Sequence, residues 1–199
     1  MDLCFVLGMN YLAHFYLAED SVESQLGNFL GDFLKGVDRE QFPRAVQAGI
    51  EKHLKVDAFT DQHPVFRRSK KRLARNRRRF AGVIIDIFYD HFLATHWSDY
   101  HAQDLELFSD RVIGRLLDYS GFVPPRARFV LERIDENGRL VSYRKVDAIG
   151  EVLDGISYRF RRENTIAGAV EELHSQYNEL EKDFREFFPE LRDFAGALK

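Results

Sequence analysis

The stretch HLKVDAFTD places His53, Asp57 and Asp61 four residues apart. On an α-helix each step of four turns about 400° and climbs ~6 Å, so the three side chains share one face. An imidazole and two carboxylates in register read either as a solvated polar stripe or as half of a metal site. A second set lies in VIIDIFYDH, where Asp86 and Asp90 are one turn apart and His91 is about 100° around the helix. Asp86 sits among apolar side chains, where a carboxylate is costly unless paired, protonated or bound to metal. One such residue reads first as an ion pair with an arginine. Two in register repel each other, which favours a shared cation. That mixture of imidazole and carboxylate suits Mn²⁺, Mg²⁺ or a similar divalent ion better than structural zinc. Asp32, in GNFLGDF, is a further candidate that also reads as a plain helix or turn carboxylate. His14, in the apolar NYLAHFYLA, reads first as a core or capping histidine.

The chemistry these residues suit is metal-assisted hydrolysis, in which a bound ion lowers the pKa of water and polarises a phosphoryl oxygen. Other classes lack their signatures. GNFLGD has no Lys-Ser/Thr of a phosphate loop, no G-x-S-x-G elbow occurs, and the single cysteine, Cys4, is a poor nucleophile candidate and forbids an intrachain disulfide. One cysteine fits a reducing cytoplasm. No apolar run approaches the roughly 18–20 residues that span a bilayer.

Residues 67–79, RRSKKRLARNRRR, carry nine basic side chains and no acid; setting those nine aside takes the net charge from −3 to −12. Such a strip is either a solvated helix or a surface for an anionic partner. Arg67, Arg68, Lys71, Arg72 and Arg75 are the expected phosphate- or partner-binding groups. A nucleic-acid partner is disfavoured, because no aromatic residue interrupts the strip and the acidic remainder repels a phosphate backbone.

These groups need a scaffold. With 199 residues, 45% hydrophobic, 18 Phe and only 5 Pro, the chain can bury a full core in one domain. Apolar spacing predicts helices over 10–18 (capped by Asn10), 43–62, 64–80, 81–97, 104–119, 126–136, 143–160 and about 163–187. Pro43 suits a first helical turn and Pro64 stops the helix before it. The three glycines of 24–36 point to close backbone approach or a broken helix. The fold class expected is all-α, a single multi-helix domain over 9–199 behind a short extension, 1–8, with Met9 as a second candidate start.

In order along the chain, MNYLAHFYLA (9–18), LGNFLGDFLKG (26–36), AGIEKHLKVDAFTDQHP (48–64), IIDIFYDHFLATHW (84–97), FVPPRARFVL (122–131) and YNELEKDFREFFPEL (177–191) resemble the acyl carrier protein phosphodiesterase family. The resemblance covers nearly the whole chain from Met9. It implies a manganese-dependent hydrolase that cleaves the phosphodiester between 4′-phosphopantetheine and a serine of holo-acyl carrier protein. It also implies a divergent branch of the all-helical phosphohydrolases named for a His-Asp doublet. Here Asp90-His91 reverses that order, and His53 and Asp57 are four residues apart. Asn10, His14, Asp32, His53, Asp57, Asp61, Asp86, Asp90 and His91 all fall within the matching segments. Residues and resemblance together make Asp32, His53, Asp57, Asp61 and Asp90 the expected metal ligands. Asp86, His91 and His14 are the expected catalytic groups, and the basic strip is a docking surface for the acidic carrier. A nucleotide or alarmone phosphohydrolase with the same cluster is the second reading, and a binder of nucleic acid the third.

Overall fold

Helix α3 (Arg44–Gln62) follows Pro43 and ends at His63, just before Pro64. Its limits are therefore set by local chemistry, as the sequence predicts. His63 ends one helix and starts the next, since its Nδ1 accepts the Val65 N–H at the head of α4 (Pro64–Arg72). The computed structural model describes residues 11–160 and 162–198. The expected Asn10 cap, the Met9 start and the extension 1–8 lie outside them.

Among the described residues the fold is all-α, with no strand. Helices α1 (Tyr11–Leu17), α2 (Val22–Leu30) and α3 form the N-terminal part, followed by α4 and α5 (Ala81–Thr95). After α6 (Trp97–Tyr100) come α7 (Leu105–Leu117), α8 (Pro125–Glu136), α9 (Arg139–Ser142) and α10 (Val146–Arg159). Helices α11 (Val170–Ser175) and α12 (Tyr177–Ala197) complete the chain. Helix α5 is the hub, packing on α1, α4, α10 and α12. Ile84, Ile85, Ile87, Phe88, Phe92 and Leu93 are all fully buried, so apolar side chains leave it in all directions, as suits a central helix.

Helices α2 and α3 cross with their backbones touching. A Cβ on Gly27 would lie 2.3 Å from the Val46 carbonyl oxygen, and one on Gly49 would lie 2.7 Å from that of Ser24. Only glycine fits at that crossing.

The basic segment departs from its expected single helix. It breaks after Arg72, where Leu73 and Ala74 turn extended and Leu73 enters the core, and resumes as a 3₁₀ segment over Arg75–Phe80. Arg68 and Arg72 fold back onto Asp183 of α12, a buried carboxylate. Arg68 Nε donates at 2.9 Å, Arg72 Nε at 2.6 Å and Ser69 Oγ at 2.8 Å. Burial raises the Asp183 carboxyl, but Arg72, Arg68 and Ser69 outweigh it and hold it below the usual range. That stabilisation is present above the unfolded carboxylate pKa and is lost as pH falls through the lowered one. Asp183→Ala should cost about 3 kcal/mol in urea denaturation, with Arg68→Ala costing less because Arg72 still covers the carboxylate. Equal stability of Asp183→Ala and the parent would remove this clamp from the account.

Candidate metal centre

Two helices and the 3₁₀ turn after a third bring their polar side chains to one place. His14 of α1 and His53 of α3 stack with ring centroids 4.0 Å apart, and both Nε2 atoms point at Asp57. His14 Nε2 is 3.2 Å from Asp57 Oδ1 and His53 Nε2 is 3.1 Å from Oδ2. Asp32, in the 3₁₀ turn after α2, approaches His53 Nε2 at 3.6 Å. The His53 ring lies flat against Gly31, where a Cβ would meet its Cδ2 at 2.1 Å. Both imidazoles are 2% exposed and the Asp57 side chain 45%, so the centre opens to solvent on the Asp57 side.

Charge is divided unequally between the rings. Burial, then the neighbouring His53, lowers the His14 pKa. Burial also opposes the His53 imidazolium, but Asp32 and Asp57 outweigh it and lift the pKa to about 10. Asp57 is raised by burial and lowered more strongly by His14 and His53. Without metal, then, the proton resides on His53 and the Asp57 carboxylate faces it.

These residues fit a cation. One ligand atom each from His14, His53 and Asp57 can be chosen within 4.8 Å of one another. Neither ring nitrogen of His14 makes a hydrogen bond, and His53 Nδ1 has none either. Buried nitrogens without partners are costly, and a divalent ion between the two Nε2 atoms would satisfy that of His14. The site is compatible with a divalent cation of the kind that accepts mixed nitrogen and oxygen ligands.

The structure brings together Asp32, His53, Asp57 and His14, and places His14, expected as a catalytic group, among the residues that could hold an ion. Asp86 is half-buried beside a cavity of about 10 Å³, lined also by Ala13, Thr60 and Tyr89. That is room for roughly one water. Burial raises its carboxyl well above the usual range, and Asp57, Asp61, Asp90 and Asp32 add to it. Asp90 lies outside this cluster. Its Oδ2 and Oδ1 accept the Leu12 and Ala13 N–H groups at 3.0 and 2.9 Å, closing the open N-terminus of α1. Asp61 is exposed and pairs with Lys70 at 3.1 Å. His91 faces elsewhere, with Nδ1 2.8 Å from the Tyr143 carbonyl oxygen and Nε2 3.0 Å from the Tyr177 hydroxyl. Of the expected docking cations, Arg67, Lys71 and Arg75 are exposed, while Arg68 and Arg72 grip Asp183. Spacing within α1 carries no signal that separates a core histidine from one in this cluster. Only its place in the MNYLAHFYLA segment does so.

The chain is therefore an all-helical protein with a buried histidine–carboxylate centre open on one side. A family model described as acyl carrier protein phosphodiesterase matches residues 9–191, and the chain belongs to that family. Proteins named acyl carrier protein phosphodiesterase from Serratia proteamaculans (strain 568) and Escherichia coli O45:K1 are each 34% identical to it. The first match covers 92% of this chain and 95% of the relative, the second 94% and 98%. A protein of the same name from Shigella boydii serotype 18 is 34% identical over 187 residues. No solved structure matches the chain.

Proposed function

We propose that this protein is a divalent-cation-dependent phosphodiesterase that releases 4′-phosphopantetheine from holo-acyl carrier protein. The observation that carries the reading is the convergence of His14, His53 and Asp57 on one point, open to solvent, in a chain of this family. Hydrolysis breaks the phosphorus–oxygen bond to the carrier serine, joins a water oxygen to phosphorus and returns a proton to the serine oxygen. His14, His53 and Asp57 would hold the ion, Mn²⁺ by the mixture of nitrogen and carboxylate donors, with Asp32 beside them. When bound, it would supply Lewis acidity and an acidified water. Asp86 keeps a proton on its carboxyl within the field of Asp57, and we assign it the supply of that proton during turnover. The single-turn spacing of His53 and Asp57 stands in for the doublet of the wider helical phosphohydrolases.

The carrier would dock on the exposed part of the basic strip, Arg67, Lys71 and Arg75, extended by Arg78 and Arg79. No helix among the described residues is long and apolar enough to cross a membrane. A cytoplasmic setting accords with a carrier-protein substrate.

Incubating the protein with holo-carrier and Mn²⁺ should remove one phosphopantetheine from the carrier, as read by mass spectrometry. An unchanged carrier mass in the presence of folded, metal-loaded protein would sink the assignment. The combined Lys71→Glu, Arg75→Glu and Arg78→Glu variant should lower kcat/KM about tenfold at low salt and converge with the parent at high salt. A salt-independent loss would instead place those residues in the catalytic step.

A further inference from the structure

The small cavity beside Asp86 has two polar neighbours, Thr60 of α3 and Tyr89 of α5, and its remaining walls, from α1 and α12, are apolar. The Tyr89 hydrogen can be placed by following its hydrogen bonds outward. Asp183 is ionised and accepts only, so the single Ser69 hydroxyl hydrogen goes to its Oδ2 at 2.8 Å. The Tyr89 hydroxyl, 2.7 Å from Ser69 Oγ, must then be the donor of that pair. Towards any further partner Tyr89 Oη can therefore only accept.

Thr60 is 7% exposed, and its Oγ1 has no hydrogen-bond partner among the described residues. A threonine within a helix can satisfy its hydroxyl on a carbonyl three or four residues earlier, but Thr60 makes no such bond. A buried hydroxyl left in that state is costly. The cavity it lines, at about 10 Å³, has room for roughly one water, which needs two to four polar partners.

We propose that Thr60 and Tyr89 are positioning residues for Asp86, acting through one water held in this cavity. The water accepts the Thr60 O–H and donates one hydrogen to Tyr89 Oη. Its second hydrogen goes to one oxygen of the Asp86 carboxyl. The Asp86 proton is thereby confined to the other oxygen, from which it can be given up. Three hydrogen bonds are usual for a buried water. The inference rests on the assignment of Asp86 as proton source in the function proposed above, and it names two residues outside the metal cluster.

A high-resolution crystal structure of the Mn²⁺-loaded protein should show an ordered water within hydrogen-bond distance of Thr60 Oγ1, Tyr89 Oη and the Asp86 carboxyl. A dry cavity would overturn the proposal. Thr60→Val and Tyr89→Phe should each lower kcat on holo-carrier about tenfold, with KM and Mn²⁺ affinity at the parent's values. Thr60→Ser, which keeps the hydroxyl, should restore kcat. Parent-like kcat in folded Thr60→Val and Tyr89→Phe proteins would overturn the proposal and leave the phosphodiesterase standing. A matching loss of Mn²⁺ affinity would also overturn it, because the two residues would then act through the metal centre. If neither substituted protein folds, the crystal structure and the kcat of Thr60→Ser decide. A parent that leaves holo-carrier uncleaved, with the water in place, would remove the proposed function and the role of Asp86 with it.

Discussion

His53→Ala is expected to lower phosphodiesterase turnover by roughly a thousandfold or more while the protein still unfolds cooperatively. Metal ions contribute several kcal/mol to charge stabilisation in the transition state, and each 1.36 kcal/mol is about a factor of ten in rate. His53 is the residue whose loss disturbs the centre most, since its Nε2 faces both Asp57 and Asp32. The same variant should lose measurable Mn²⁺ binding. In the parent, binding should also depend on pH in a defined direction. Asp32 and Asp57 hold a proton on His53 up to about 10, and a cation must displace it. Each ion bound near neutral pH therefore releases a proton, and affinity rises as pH rises. Calorimetry in buffers of different ionisation enthalpy measures that proton. Full turnover in His53→Ala, or affinity that falls with rising pH, would contradict the assigned centre.

Asp90→Ala should be the most damaging single change to stability near the centre, at about 2–4 kcal/mol. The Asp90 carboxylate is fully buried and is the acceptor for two N–H groups at the start of α1. Without it those donors stay buried and unpaired, and the helix that carries His14 loses its fixed beginning. Asp90→Asn retains one acceptor and should fall between alanine and the parent. Urea denaturation gives the energy, and hydrogen exchange gives the location, because the Leu12 and Ala13 amides should exchange faster. A variant that unfolds at the parent's midpoint with unchanged exchange would show that α1 starts without this carboxylate.

The parts of the molecule written in short-range patterns were legible in the chain. Helix α3 has the limits its prolines predict, and the four-residue spacing of His53 and Asp57 does place both on one face. The parts that depend on distant partners were not. Nothing local to Asp90 distinguishes a ligand from a cap for a helix almost eighty residues earlier. Arg68 and Arg72 look like free surface charge until Asp183, more than a hundred residues on, is folded against them. Asp61 keeps the register of His53 and Asp57, yet α3 carries it one turn too far and it ends at the surface with Lys70. The C-terminal helix outruns its expected end at 187, because Phe188, Leu191 and Ala195 keep contributing to the core beyond Pro189.

The glycine crossing of α2 and α3 has a consequence for the geometry of the centre. Asp32 follows directly from one of these helices, and His53 and Asp57 project from the other. Where two main chains touch, the separation of the helices is not adjustable by choosing other rotamers. The distance at which Asp32 meets His53 is thus a dimension of the backbone, carried from Gly27 and Gly49 to Gly31 and the His53 ring one turn away. A methyl group added at the crossing would act as a spacer of fixed thickness. The reach of the Asp32 carboxylate to the His53 ring is then set by how closely two helices are allowed to lie, at a point that neither side chain touches.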